Sequence, residues 1–208
     1  MPDDVPGWYG KIASLGDFAQ RRMSAEWVNT CDAWLSRGIQ ASRARLGPRW
    51  LEVYLTAPLL RFAWTPGVID ANWWFGVLMP SCDAVGRYFP LLVALSRAQA
   101  PADGIALDHL GRWYEQLTQA ALHTLHEHSP LEEFETLLAG LPPWPPASPP
   151  AANVSLADQV QSMAGRELLQ RLARCSLWWH AGGPMRVLPG LPEAEAFVDL
   201  LDVTAAAA

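Results

Sequence analysis

The chain has 208 residues, half of them hydrophobic and 17% charged, which excludes a disordered polymer. Its net charge of −6 lacks the basic excess of a nucleic-acid binder. This length suits one domain that buries roughly 70% of its unfolded surface without a disulfide staple. Lys11 is the sole lysine among fifteen basic residues, and eleven tryptophans offer surfaces on which arginine can stack. A GC-rich genome would by itself produce part of such an arginine bias. Cys31, Cys82 and Cys175 are odd in number and far apart, as expected of reduced thiols in a cytoplasmic protein. No charged leader precedes an apolar stretch, and the longest apolar runs are too short to span a bilayer.

In chain order, Val5–Ile12 reads as a short strand. Ser24 is placed to cap a helix from Ala25 to Leu46, in which Trp27, Val28, Cys31, Trp34, Leu35 and Ile39 recur at helical spacing. Gly47-Pro48 ends it. A short Trp50–Leu55 segment precedes three strands, Leu59–Trp64, Trp73–Met79 and Tyr88–Leu95, separated by turn residues at 65–67 and 80–86. A second helix runs from Asp108 to Glu127 with Leu110, Trp113, Tyr114, Leu117, Ala121 and Leu125 inward. Ser129-Pro130-Leu131-Glu132 has the form of a capped helix start. Leu141–Ala152 holds six prolines and reads as an extended connection. Ser155 opens a helix to Arg174, Ser176–Trp179 is a strand and Pro192–Leu201 a final helix. The 1–208 chain is thus one unit with four parts. Residues 1–97 are rich in sheet, 98–140 helical, 141–152 a proline-rich connection, and 153–203 helix, strand and helix. Strands alternating with amphipathic helices predict an α/β fold, a three-layer α/β/α sandwich on a mixed sheet.

Two segments set small and charged residues inside apolar runs. They are Trp8-Tyr9-Gly10-Lys11-Ile12-Ala13-Ser14-Leu15-Gly16-Asp17-Phe18 and Gly76-Val77-Leu78-Met79-Pro80-Ser81-Cys82-Asp83-Ala84-Val85-Gly86-Arg87-Tyr88-Phe89-Pro90-Leu91. Both resemble the signature of TagF (also called ImpM), an accessory protein of bacterial type VI secretion, whose pattern is close to W-Y-G-K-x-x-x-x-G-D-F and M-P-S-x-D-x-x-G-R-Y-F-P. A weaker third match is Ser176-Leu177-Trp178-Trp179 followed by Gly190-Leu191-Pro192, so the resemblance extends from Trp8 to about Leu200. It implies α/β/α layering and a regulatory role, generally as a brake on assembly. That role is exerted after translation through cytoplasmic partners such as a forkhead-associated-domain scaffold. Some members are fused to a PP2C-like phosphatase domain, for which this chain has neither the length nor the aspartate motifs. The implied protein is cytoplasmic, is held at the inner-membrane face only by its partners, and needs no cofactor.

The residues themselves leave several readings open. Gly10-Lys11 is not a phosphate loop, because Ile12 follows the lysine and only two residues separate Gly7 from Gly10. Gly10 and Gly16 are each explained by backbone geometry, and Gly86 belongs to the second motif. Lys11, Asp17, Asp83 and Arg87 are expected to converge despite some seventy residues between the motifs, since unpaired charges in apolar runs are costly. Whether the group is a buried Arg–Asp clamp or faces a partner stays open. Trp8, Arg21, Arg22 and Arg87 are the candidate contacts, within a candidate motif surface that also takes in Gly10, Lys11, Gly16, Asp17, Phe18, Ser81, Asp83 and Gly86, and Arg21 and Arg22 are expected at the surface. His123, His126 and His128 lack the further ligands of a zinc site and suit a helix C-terminus. No nucleophile elbow or zinc-protease motif is present. A protein-binding role without catalysis is the reading favoured. The alternative is an enzyme using the Ser81–Arg87 loop, at a strand end where α/β sheets often bind ligands.

Overall fold

A computed structural model describes residues 4–101, 104–126, 129–144, 167 and 170–202. Its strands are β1 (Gly7–Gly10), β2 (Ala19–Arg21), β3 (Leu60–Trp64), β4 (Trp73–Met79), β5 (Leu91–Arg97), β6 (Cys175–Trp179) and β7 (Arg186–Pro189). They form one sheet in the order β2-β1-β5-β4-β3-β6-β7. Every neighbouring pair is antiparallel, which corrects the expected mixed sheet. Parallel neighbours need a helical crossover. Here the helical excursions, β2 to β3 and β5 to β6, join strands that are not neighbours. Strands adjacent in both sequence and sheet are hairpins.

Alternation along the strands divides the core in two. Tyr9, Phe62, Trp64, Trp74, Leu92 and Trp178 face α1 (Ala25–Leu46), α2 (Trp50–Thr56) and α5 (Ala194–Leu201). Trp8, Phe75, Val77, Leu91 and Val93 face α3 (Gly104–His123) and α4 (Leu131–Ala139). Helices thus lie against both faces of a single α/β domain. The tandem tryptophans follow the same rule: Trp74 and Trp178 join the first cluster, while Trp73 and Trp179 pack against the second.

Helix α1 has the expected bounds, because Ser24 accepts a hydrogen bond from the Trp27 amide and Gly47 turns the chain into a left-handed φ of 52°. The segment after it is helical, entered through a 3-10 turn carrying Pro48. Three expectations fail. Ser129 does not cap α4; Pro130 takes that position, and the Ser129 hydroxyl lies 3.1 Å from His123 Nε2. Helix α3 ends at His123, so the turn beyond it carries Leu125 outward, 42% exposed. Val28 is only partly buried. The short edge strands β2 and β7 went unforeseen. Most of the helix expected over residues 155–174, and the connection from residue 145 on, lies outside the described residues.

Candidate functional site

Both motifs arrive at the same end of the sheet because β1 pairs antiparallel with β5, bringing Gly10 opposite Leu91. Gly10 has a φ of 137°, and a Cβ there would meet the Pro90 carbonyl oxygen at 2.1 Å. The close approach of the two segments depends on this glycine. Directly after it, Lys11 binds the second motif twice. Its carbonyl accepts a 2.8 Å hydrogen bond from Ser81 Oγ, and its Nζ lies 2.6 Å from Asp83 Oδ2. Tyr54 of α2 closes the far side, its hydroxyl accepting from the Ser81 amide and donating to the Ser81 carbonyl.

Asp83 is the centre of the turn. Its Oδ1 accepts from the Arg87 amide at 2.8 Å and the Val85 amide at 3.2 Å. Its Oδ2 accepts from Lys11 Nζ and, at 2.7 Å, from Arg87 Nε. Four donors fill the acceptor sites of one carboxylate. Burial alone would raise the Asp83 carboxyl, but the bonds from Lys11 and Arg87 prevail and hold it well below the usual carboxylate range. A carboxylate so saturated has no lone pair left for a metal or a migrating proton. Gly86, with a φ of 80°, completes the turn in the left-handed region that glycine favours.

The expected convergence is therefore present, with a different division of labour. The buried pair is Lys11–Asp83, whose residues are 4% and 2% exposed. Arg87 is half exposed; its Nη2 donates to the Gly16 carbonyl at 2.6 Å and lies 3.6 Å from the Asp17 carboxylate. Asp17 is a surface residue, and its other contact is a hydrogen bond from the Phe18 amide. Phe18 is 46% exposed yet held firmly: parallel to Tyr9, edge-on to Phe89 at 4.8 Å, with Lys11 Nζ 4.8 Å from its ring centroid. Gly16 is exposed, and a Cβ there would meet nothing within 4 Å.

Other candidates are placed elsewhere. In register, Trp8 lies opposite Arg21, so the arginine pair is at the opposite end of β1 from Lys11. Trp8 is buried and cannot be a contact residue; its indole N–H donates to Glu135 of α4 at 2.6 Å. Arg22 clasps the same carboxylate through both terminal nitrogens, while Arg21 is exposed and 3.6 Å away. Burial works against Glu135, and the bonds from Arg22 and Trp8 lower its pKa. This latch was not foreseen, nor was the Tyr54 bridge, because neither Glu135 nor Tyr54 lies in a motif. His123 bonds Glu133 and Ser129 through one ring nitrogen, and His180 contacts the Ala181 carbonyl. Among the described residues no group of three or more His, Cys, Asp or Glu is arranged to hold a metal. Nor is any of their helices long and apolar enough to cross a membrane.

Residues 7–141 match the model of the TagF N-terminal domain, described as type VI secretion system-associated. No curated protein gives a match. The crystal structure of PA0076 from Pseudomonas aeruginosa PAO1 is similar over 95% of this chain and 94% of its own, with 36% sequence identity and a TM-score of 0.78. Both motif segments thus sit inside a fold shared nearly end to end with a solved protein, and the chain belongs to the TagF family of type VI secretion-associated proteins.

Proposed function

We propose that this protein is a non-catalytic regulator of type VI secretion, acting after translation as a brake by binding cytoplasmic components of the apparatus. A forkhead-associated-domain scaffold is the partner to test first, and any residence at the inner membrane would be through that partner. The observation that carries this reading is the build of the motif end. Lys11, Ser81 and Asp83 spend their polar groups on one another, and above them Phe18, Val85 and Arg87 are held out to solvent. A rigid exposed aromatic beside an arginine is the composition that interaction hot spots favour.

Calorimetric titration of the purified chain with the scaffold tests it. Saturable binding, weakened by Phe18→Ala at unchanged melting temperature, is the expected result; no binding overturns the choice of partner. Arg21 and Arg22 are a poorer probe, since Arg22 is tied to Glu135. The enzyme reading draws on the Ser81–Arg87 loop, but the Ser81 hydroxyl donates to a backbone carbonyl and Asp83 is saturated. Turnover of a phosphorylated or ester substrate that is lost on Ser81→Ala would restore it.

A further inference from the structure

Just beyond α4 the sequence runs Leu141-Pro142-Pro143-Trp144-Pro145-Pro146, a single aromatic residue bracketed by prolines. The Trp144 indole lies in a slot on the α3 face of the sheet. Phe75 of β4 forms one wall, with ring centroids 4.8 Å apart, and Trp113 of α3 meets it edge-on at 5.4 Å. Arg97 covers it, the guanidinium carbon 5.1 Å from the ring centroid. Each of these three is also held by something other than Trp144. Trp73 stacks on Phe75, Tyr114 meets Trp113 edge-on, and the Asp4 carboxylate and Ser96 carbonyl accept from Arg97. Phe75 and Trp113 are buried, whereas their occupant is only partly so. Arg97 is opposite Trp73 in register, at the far end of β5 from Leu91 and the motif turn.

We propose that this slot is a recognition site for a proline-flanked tryptophan. In the isolated chain Trp144 is its resident ligand, and a partner segment of the same chemistry takes the slot by displacing it. The resident itself shows what the site selects. Two aromatic rings and a fixed cation surround the indole, and indole is the aromatic side chain that attracts a cation most strongly. Prolines beside it restrict the backbone before binding, which lowers the entropy lost when the segment is immobilised. A tryptophan that served the core alone would need neither the flanking prolines nor the stacked guanidinium. The site stands apart from the motif end and depends on no property of the scaffold.

The test is an NMR titration of the isotope-labelled full chain with an acetylated, amidated Pro-Pro-Trp-Pro-Pro peptide. In Trp144→Ala the vacated slot is expected to bind it saturably, shifting the amides of Phe75, Arg97 and Trp113. The unaltered chain should bind it about tenfold more weakly or worse, because its own tethered indole competes. A peptide with alanine in place of tryptophan should give none of these shifts. Arg97→Lys, added to Trp144→Ala, keeps the charge but loses the planar stack, and should weaken binding about two- to fivefold. No shifts in Trp144→Ala, equal affinity of the two chains, or equal binding of the alanine peptide overturns the proposal. If Trp144→Ala does not fold, the unaltered chain decides. Millimolar peptide is then expected to move the Trp144 indole N–H resonance toward that of a free indole, and a resonance that stays in place overturns the proposal.

Discussion

At the scale of single residues, burial decides which charged contact matters. Lys11 and Asp83 are nearly inaccessible, so each would be stranded without the other, whereas Asp17 and Arg87 meet in solvent. Lys11→Met and Asp83→Asn are each expected to lower the urea midpoint substantially, and the double variant to lose less than their sum. Strict additivity would show that the pair is not coupled. Asp17→Ala should change stability by no more than about 1 kcal/mol. The two motif glycines divide in the same way. Gly10→Ala drives a Cβ into the Pro90 carbonyl oxygen and is expected to prevent folding or cost several-fold more than Gly16→Ala, where the space is open. Equal effects in a thermal melt would refute this account of Gly10.

At the scale of elements, the antiparallel sheet follows from hairpins linking sequential neighbours, and each helix is held by the apolar stripe it lays on one face. Leu117 of α3 is fully buried, and Leu117→Ala should cost about 2–5 kcal/mol. Leu125, eight residues on, has the right spacing but lies past the end of the helix. Leu125→Ala is expected to stay within about 0.5 kcal/mol. Chemical denaturation of the two variants side by side checks the boundary of α3. Helix α4 carries a second kind of attachment, the Glu135 carboxylate gripped by Trp8 and Arg22. Glu135→Gln should loosen α4 ahead of the sheet, visible as faster amide exchange in Leu131–Ala139.

At the scale of the whole molecule, the paired carboxylates and buried phenols predict how stability changes with pH. Asp83 and Glu135 have pKa values below their ordinary ones, since bonds from Lys11 and Arg87, and from Arg22 and Trp8, outweigh burial. The unfolded chain, with carboxyls near ~3.9 and ~4.3, binds protons first as acid is added. Their contribution is therefore present in full above about pH 5 and is lost as the pH falls through and below those values. The alkaline side has the opposite sign. Burial raises the Cys31 thiol and the Tyr9, Tyr54 and Tyr114 hydroxyls, so the folded state keeps protons that the unfolded state gives up. Stability should decline above roughly pH 8.5, where an unfolded thiol ionises, and faster above about 10, where phenols do. Urea midpoints measured from pH 3 to pH 11 are expected to trace this dome, with a flatter acid limb in Lys11→Met.

How much of this was legible beforehand depended on whether the cause was local. Ser24 capping α1, Gly47 ending it and the run Trp73–Met79 forming a strand are decided by neighbours in the chain, and the sequence determined them alone. It also determined the family through two motifs, and it led to the expectation that their charges meet, whose physical ground holds for the buried Lys11 and Asp83 and not for Asp17 and Arg87, which lie in solvent. The tertiary structure decided what depends on contacts across the sheet. It made Trp8 a buried donor to Glu135 and not a surface contact, gave the buried pairing to Lys11 instead of Arg87, and turned every strand antiparallel to its neighbours. Strands as short as β2 and β7 have too few residues to show a period, and exist because a longer neighbour offers its edge. The partner of a charge many residues away is set by which strands lie side by side. Nothing in local spacing encodes that.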